Sequence, residues 1–115
     1  MKKAYRVKKN EQFQKIIKDG VSKSNACFVI YYAQNQLEHD KVGISVGKKI
    51  GNAVERNKVK RQVRMMIDDI FSFKTGYDFV LIVRANYNNY NFQENKMKLS
   101  NLYDSVYNRI KKETN

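Results

Sequence analysis

Residues 41–71 read KVGISVGKKIGNAVERNKVKRQVRMMIDDIF and combine the pattern of a strand with that of a long helix. Apolar residues alternate with small or polar ones over Lys41–Val46, which predicts a half-buried strand. Asn52 followed by Glu55 three residues later is typical of a capped helix N-terminus. The helix is expected to continue to about Phe71 and to pack against the sheet to which the strand belongs.

This helix has two contrasting sides on a helical wheel. Its apolar side should face the sheet and comprises Val59, Val63, Met66, Ile67 and Ile70. The opposite side, called here the charged stripe, comprises Asn57, Lys60, Arg61 and Arg64. Like charges at this spacing repel by a few tenths of a kcal/mol per pair, and acids follow only at Asp68 and Asp69. Phosphates along the stripe would relieve the repulsion, whereas an ordinary solvated face usually interleaves acids.

Upstream, the pattern predicts one helix and one strand. Phe13 and its apolar neighbours predict an amphipathic helix over Glu11–Lys18, with Asn10 as N-cap and Gly20 at the C′ position, where the helix stops. Aromatic and β-branched residues predict a strand over Phe28–Tyr32. The polar segment Gln34–Asp40 is interpreted as a hairpin loop that leads into the next strand.

Downstream, the most apolar segment is Tyr77–Val83, which predicts a central strand. A last helix is expected to begin near Asn91, with Glu94 three residues on. Its buried positions are expected to be Leu99, Leu102, Val106 and Ile110. The element order is therefore α-β-β-α-β-α, with a further short strand around Val21–Ser24.

The composition indicates a single globular domain over residues 1–115 with a polyanionic partner. The chain has 23 Lys and Arg against 11 Asp and Glu, a net charge of +12, and 42% hydrophobic residues. The alternatives are a surface that serves only solubility and a basic amphipathic helix that binds membranes. Met1–Lys9 is basic and without periodicity, so it is interpreted as an extended or mobile arm.

Several classes are excluded by what the sequence lacks. One Cys and one His exclude a zinc finger and a disulfide scaffold. No apolar run reaches the ~20 residues of a membrane span, and no signal peptide is recognised, so the chain is expected in the cytoplasm. Cys27 and His39 lack partners for nucleophilic or acid–base chemistry, and the acids lack a second motif that would complete a metal site. These acids are Asp68-Asp69 and Glu38 with Asp40, and they are interpreted as solvated or charge-balancing.

A family resemblance rests on the same central stretch. The pattern Lys49-x-Gly51-Asn52-Ala53-Val54-x-Arg56-Asn57-x-x-Lys60-Arg61-x-x-Arg64 resembles the Arg-Asn-Arg signature of the bacterial ribonuclease P protein subunit. Similar runs are Arg6-x-Lys8-Lys9-Asn10-x-x-Phe13, Phe28-Val29-x-Tyr31 and Val42–Val46. The resemblance implies an α+β sandwich of order α-β-β-β-α-β-α with a left-handed βαβ crossover, the fold of the second domain of ribosomal protein S5. It also implies a basic partner of a large catalytic RNA that removes the 5′ leader from precursor tRNA.

The resemblance also implies two sets of binding residues. Those expected to contact the ribonuclease P RNA are Lys48, Lys49, Asn52, Arg56, Asn57, Lys58, Lys60, Arg61 and Arg64. Those expected to contact the precursor tRNA leader, in a cleft between the first helix and the sheet, are Lys8, Lys9, Phe13, Phe28 and Tyr31. For Phe13 and Phe28 the alternative is plain core packing. The active site and its Mg²⁺ are expected on the RNA, with no metal or cofactor on the protein, and phosphate or sulfate should occupy the RNA sites of the free protein.

Two departures from the family pattern bear on these expectations. Ala26 stands where the family often has Arg, and Arg84-Ala85-Asn86 lacks the family's proline. Three alternatives remain open: another RNA-binding module such as a ribosomal protein or RNA chaperone, a nuclease that acts without RNA, and a binder of duplex DNA through the same helix.

Overall fold

The computed structural model describes residues 1–35 and 39–114. Its helices are α1 (Asn10–Asp19), α2 (Ala53–Ile70) and α3 (Phe92–Thr114), and its strands are β1 (Val21–Ser24), β2 (Phe28–Gln34), β3 (Val42–Val46) and β4 (Tyr77–Val83). Short 3₁₀ turns occupy Lys3–Tyr5, Lys48–Ile50 and Ala85–Asn89. The α+β class and the α-β-β-β-α-β-α order are confirmed, including the short strand β1.

The four strands form one sheet in the order β1-β2-β4-β3. β1 with β2 and β2 with β4 are antiparallel, whereas β3 and β4 are parallel and are connected by α2. This is the βαβ crossover that the resemblance implied. The predicted β2–β3 hairpin is wrong, because β4 lies between those strands. β4 is nearly continuously apolar and is buried on both faces. Its position at the centre of the sheet therefore removes most of its apolar surface from water.

The two faces of the sheet carry different helices. α2 and α3 cover the face that holds Phe28, Ile30 and Tyr32, where the larger core lies. α1 covers the other face, where Ile16 packs with Val80 in a smaller core. The predicted apolar positions of α3 are buried, and so are those of α2 except the partly buried Ile70.

Side-chain caps start two of the three helices. Asn52 Oδ1 accepts the Glu55 N–H at 2.9 Å, as predicted. Asn91 and Glu94 cap each other reciprocally, with Asn91 N–H donating to Glu94 Oε1 at 3.0 Å and Glu94 N–H donating to Asn91 Oδ1 at 2.9 Å. The predicted Asn10 cap is wrong: Asn10 is already helical, and the residue before it makes no side-chain cap.

Gly20 follows the last residue of α1, as predicted, and close packing explains why a glycine is needed there. Its φ of −86° is not left-handed. A Cβ there would lie 2.5 Å from the Ile16 carbonyl oxygen and 2.6 Å from that of Tyr32. The glycine therefore permits close approach of α1 to the sheet.

The basic segment Met1–Lys9, called here the N-terminal strap, lies against the domain. The sequence predicted an extended or mobile arm and did not predict this docking. Val7 is buried, and its N–H donates to the Val42 carbonyl at 3.2 Å along the free edge of β3. The Met1 amine lies 2.9 Å from the Asp68 carboxylate on α2.

An aromatic contact adds to the anchoring of the strap. The Tyr5 ring stacks on Phe73 with centroids 5.0 Å apart, and His39 meets Tyr5 edge-on at 5.0 Å. His39 Nε2 lies 2.9 Å from the Ala4 carbonyl oxygen. Phe73 has a φ of +62°, an unfavourable conformation for an aromatic residue, which the surrounding contacts hold in place.

A buried carboxylate fixes the turn that leads into β4. Asp40 is 1% exposed and accepts hydrogen bonds from the backbone N–H groups of Thr75, Gly76 and Tyr77 and from the Thr75 hydroxyl. The interpretation of Asp40 as a solvated acid is therefore wrong. Its companion Glu38 lies outside the described residues, as does part of the predicted Gln34–Asp40 loop.

Candidate nucleic-acid interface

The charged stripe lies on the outer side of α2, as the periodicity predicted. Asn57 and Arg61 are exposed, together with the neighbouring Lys58, whereas Lys60 and Arg64 are half-buried. The fully buried Val63 and Met66 on the opposite side fix the rotation of the helix. Met65, next to Met66, is 60% exposed and does not belong to this buried side.

The acids nearest to the stripe are engaged elsewhere. Asp68 pairs with the Met1 amine at 2.9 Å, and Asp69 pairs with Lys96 Nζ at 2.8 Å. Glu55 lies in the first turn of α2, where a carboxylate suits the positive end of the helix dipole. In the part of the chain that the structure describes, no ion pair involves a cation of the stripe. The stripe therefore presents uncompensated positive charge to solvent.

The turn before α2 adds two exposed cations. Lys48 and Lys49 lie on the 3₁₀ turn, and Gly51 follows with a φ of +151°, which favours glycine. The Glu55 carboxylate lies over Gly51, where a Cβ would collide with it. The side-chain oxygen of Asn52 caps α2, which is a structural role. The RNA contact of Asn52 stays a prediction.

Arg56 lies in the first turns of α2, near the side of the helix that faces the core. It is half-buried, and its Nε is buried without a hydrogen-bond partner. Buried donors in proteins normally have a hydrogen-bond partner, so this nitrogen is an exception.

A hydrogen-bonded turn after β4 helps to hold α2 in place. The Tyr87 hydroxyl donates to Gln62 Oε1 on α2 at 2.8 Å, and burial raises the pKa of Tyr87 to about 12. Asn88 Nδ2 donates to the Ile50 carbonyl at 2.8 Å. The turn closes without the family's proline, and Arg84 at its start donates to the Asn25 carbonyl at 3.0 Å.

The predicted cleft lies on the α1 face of the sheet. Phe13 and Tyr31 are both half-buried there. The Phe13 ring sits directly over Gly43, where a Cβ would meet its Cζ at 2.5 Å. Ile17 and Ile82 belong to the same cluster. The helical spacing predicted Ile17 on one apolar face with Phe13 but did not assign it to the cleft, and Ile82 was missed although it alternates with the core-facing positions of β4.

Phe28 does not lie in the cleft, which corrects its assignment as a leader-binding residue. It is fully buried on the opposite face, where its ring meets Tyr87 edge-on at 5.8 Å. The core-packing alternative is the right one. Side chains alternate along a strand, so Phe28 and Tyr31, three residues apart, must point to opposite faces.

Lys8 and Lys9 are exposed where the strap leads into α1. They line a pocket of about 160 Å³ together with Lys3, Arg6 and Lys41. Sequence reasoning assigned only the first two to the leader-binding set. The other three could have been found only by knowing that the strap docks beside the start of β3.

The Cys27 thiol and the histidine and acidic side chains are the other groups that could take part in chemistry. Cys27 is fully buried, and burial raises the pKa of its thiol, an effect that the charges of Lys98 and Arg84 partly oppose. Among residues 1–35 and 39–114, no three His, Cys, Asp or Glu side chains cluster so that they could hold a metal ion. The helices of this part of the chain include none that is long and apolar enough to cross a membrane.

Comparison with known proteins agrees with this arrangement. The family model Ribonuclease P matches residues 1–107. The chain belongs to the ribonuclease P protein family. It is 48% identical over 99 residues to the ribonuclease P protein component of Streptococcus pyogenes serotype M5 (strain Manfredo), covering 86% of this chain and 83% of that protein.

Solved ribonuclease P proteins share the fold. The Staphylococcus aureus RNase P protein is 38% identical with a TM-score of 0.83, covering 90% of this chain and 96% of that one. The RNase P protein from Thermotoga maritima is 33% identical with a TM-score of 0.73, covering 84% and 93%. The family, the fold class and the enzyme to which the family contributes a subunit, the ribonuclease P endoribonuclease, are therefore those that the resemblance implied.

Proposed function

We propose that this chain, acting as one RNA-binding unit over residues 1–115, docks on a ribonuclease P RNA and holds the 5′ leader of precursor tRNA. The observation that supports this most strongly is a juxtaposition. An uncompensated row of cations on α2 borders a cleft in which Phe13 and Tyr31 are only half-buried. Phosphates match the first feature, and unstacked bases of a single strand match the second.

The two features would serve different parts of the RNA. Arg61 and the lysines that flank it present charge to a backbone, and arginine can bind two phosphate oxygens at once. Aromatic stacking tolerates any base, at ~1–3 kcal/mol per base. A protein that must accept leaders of many sequences needs this tolerance.

In this proposal the RNA carries the active site and its Mg²⁺, and the protein supplies binding. Phosphodiester hydrolysis needs a positioned acid and base, or carboxylates that hold a metal. Asp40 is buried and occupied by backbone donors, and His39 packs against Tyr5. These surroundings favour structural roles for both residues.

The test is cleavage of precursor tRNA by a bacterial ribonuclease P RNA at low Mg²⁺, with and without the protein. We expect the protein to restore cleavage at the 5′ end of the mature tRNA and to be inactive without the RNA. The matched control is Lys112→Ala, an exposed lysine on α3, which should restore cleavage as the natural chain does.

Other outcomes would favour the alternatives. Tight RNA binding without restored cleavage would indicate a general RNA-binding module. Cleavage by highly purified protein alone would indicate a nuclease. Equal affinity for matched duplex DNA and RNA at one salt concentration would indicate that α2 reads duplex phosphates without regard to the RNA partner.

A further inference from the structure

A cavity of about 280 Å³ lies between α2, the turn after β4 and the start of α3. It is called here the α2–α3 pocket, and Gln62, Tyr87 and Asn95 are among the residues that line it. Lys60 and Arg64, which border the cleft beside Phe13, lie on the opposite side of α2. The α2–α3 pocket is therefore separate from the cleft proposed for the leader.

Asn95 brings an unsatisfied hydrogen-bond acceptor to this pocket. Its side chain is fully buried, and its Nδ2 donates to the Tyr87 carbonyl at 3.0 Å and to the Tyr90 carbonyl at 3.2 Å. These two acceptors fix the orientation of the amide, because a flipped amide would turn its oxygen toward two carbonyl oxygens. Asn95 Oδ1 then has no donor among the described residues. Buried amide oxygens normally accept a hydrogen bond, so Oδ1 is suited to accept one from a bound group.

Gln62 contributes the complementary group. Its Oε1 accepts the Tyr87 hydroxyl at 2.8 Å, which leaves its NH₂ group as a donor in the wall of the pocket. An unpaired nucleobase carries N–H groups and acceptor atoms side by side on its edge, and side-chain amides recognise such edges by hydrogen bonds. The pocket therefore holds both kinds of polar group that a base edge requires.

The size and the aromatic lining of the pocket also agree with a base. Its volume is room for roughly nine water molecules at about 30 Å³ each, which suits a single planar ring system. Tyr90 and Phe92 line the pocket and are half-buried. Lys98 Nζ already lies 4.3 Å from the centroid of the Tyr90 ring. Phe92 is therefore the better platform for a stacked base.

The charges at the rim fit a neutral base on a charged backbone. Lys58 is exposed, lines the pocket and also flanks the charged stripe, so an RNA backbone that follows the stripe passes the pocket. Glu55 is an acid in the lining, and its carboxylate lies over Gly51. A carboxylate repels a phosphate inside the pocket but does not repel a neutral base.

We propose that the α2–α3 pocket binds one unpaired nucleobase of the ribonuclease P RNA. Phe92 stacks on the base, Asn95 Oδ1 accepts one of its N–H groups, and the Gln62 amide donates to it. This rests on the proposed function and deepens it, because it adds the recognition of a base to the binding of phosphates along α2. Oδ1 is closed to water, so the base reaches it only when a side chain of the wall turns aside.

The first test compares two half-buried aromatic residues of α3 that pack against the same core. Phe92→Ala removes the ring at the pocket, whereas Tyr107→Ala removes a ring that does not line it. We expect Phe92→Ala to weaken binding to ribonuclease P RNA roughly tenfold without changing the salt slope, because stacking involves no phosphate. Tyr107→Ala should leave this affinity within about twofold. Urea denaturation of both variants measures how much stability each has lost.

A second test uses the natural chain without RNA and does not depend on the folding of a pocket variant. Each of the four ribonucleosides, which carry no phosphate, is added at millimolar concentration. The side-chain amide signals of Asn95 and Gln62 are followed by NMR. We expect these signals to shift with at least one nucleoside, and to shift equally in Tyr31→Ala, in which the leader cleft has lost one of its rings.

Three results would overturn the inference. The first is an equal loss of RNA affinity in Phe92→Ala and Tyr107→Ala, which would indicate an effect of stability. The second is amide signals that respond to no nucleoside. The third is signals that respond while the RNA affinity of Phe92→Ala is unchanged, which would indicate a site for a free nucleoside.

The proposed function has a separate test. Failure of the natural chain to restore cleavage would contradict the proposed function, whereas the nucleoside titration is independent of cleavage. The two failures are therefore distinguishable.

Discussion

α2 and α3 are both long amphipathic helices on the same face of the sheet, and both are rich in cations. They differ in how many of those cations have partners within the protein. On α3, Lys96 pairs with Asp69, Arg109 lies 3.8 Å from Glu113, and Lys98 and Lys111 lie over tyrosine rings. On α2, the described ion pairs leave the charged stripe uncompensated. We therefore propose that a row of cations without internal partners, and not positive charge by itself, distinguishes the RNA-binding helix.

The variant with the largest expected effect tests whether RNA affinity depends on the net charge or on where the charges lie. Asp40→Ala removes a negative charge and leaves the N–H groups of Thr75, Gly76 and Tyr77 buried without their acceptor. We expect it to lower the free energy of unfolding by about 3 kcal/mol, measured by urea denaturation. RNA affinity of the folded protein should not increase, although the net charge rises by one. Tighter binding would show that net charge, and not the α2 surface, controls affinity.

The second variant places a carboxylate beside the cations of α2, as the acidic partners are placed beside cations of α3. In Arg61→Glu the new carboxylate lies one turn from both Lys58 and Arg64, so the helix should gain a few tenths of a kcal/mol. Affinity for ribonuclease P RNA should fall roughly 100-fold, because a charge-assisted contact is lost and a like charge faces phosphate. A parallel fall in stability and affinity would mean that the variant acts through folding.

The third prediction isolates one contact. Arg61→Ala should weaken ribonuclease P RNA binding about tenfold and lower the slope of log affinity against log salt by about one. The two quantities come from one titration series at several salt concentrations. An unchanged slope would remove Arg61 from the interface.

The smallest expected effect concerns the free protein. Sulfate at about ten times its dissociation constant should raise the Tm by about 5 °C relative to chloride at equal ionic strength, because it binds the folded state. In Arg61→Glu the shift should be smaller, since the stripe then carries its own counter-charge. A Tm indifferent to sulfate in both proteins would contradict an anion site on the folded surface.

Local patterns were sufficient for the secondary structure. The rotation of α2, the Asn52 cap, the reciprocal cap of α3 and the central position of β4 all follow from residues close in sequence. Strand alternation alone would have separated Phe28 from Tyr31. The cleft residue Tyr31 and the exposed cations of α2 were therefore within reach of sequence reasoning.

Contacts between distant segments were beyond such reasoning. The hairpin prediction failed because the spacing of β2 and β3 cannot show that β4 inserts between them. Arg6 could not be assigned to a pocket, because its position depends on Tyr5 meeting Phe73, 68 residues later in the chain. Asp40 likewise looks like a loop acid until the turn at Thr75 and Gly76 closes on it.

The most direct test of the central claim compares matched pairs on the two helices. Lys58→Ala/Arg61→Ala on α2 and Arg109→Ala/Lys112→Ala on α3 each remove one lysine and one arginine spaced three residues apart. The measurement is the affinity of each variant for ribonuclease P RNA over a salt series. We predict that the α2 pair lowers the salt slope by about two and that the α3 pair leaves it unchanged. Equal reductions by the two pairs would contradict the account, because the RNA would then respond to positive charge wherever it lies.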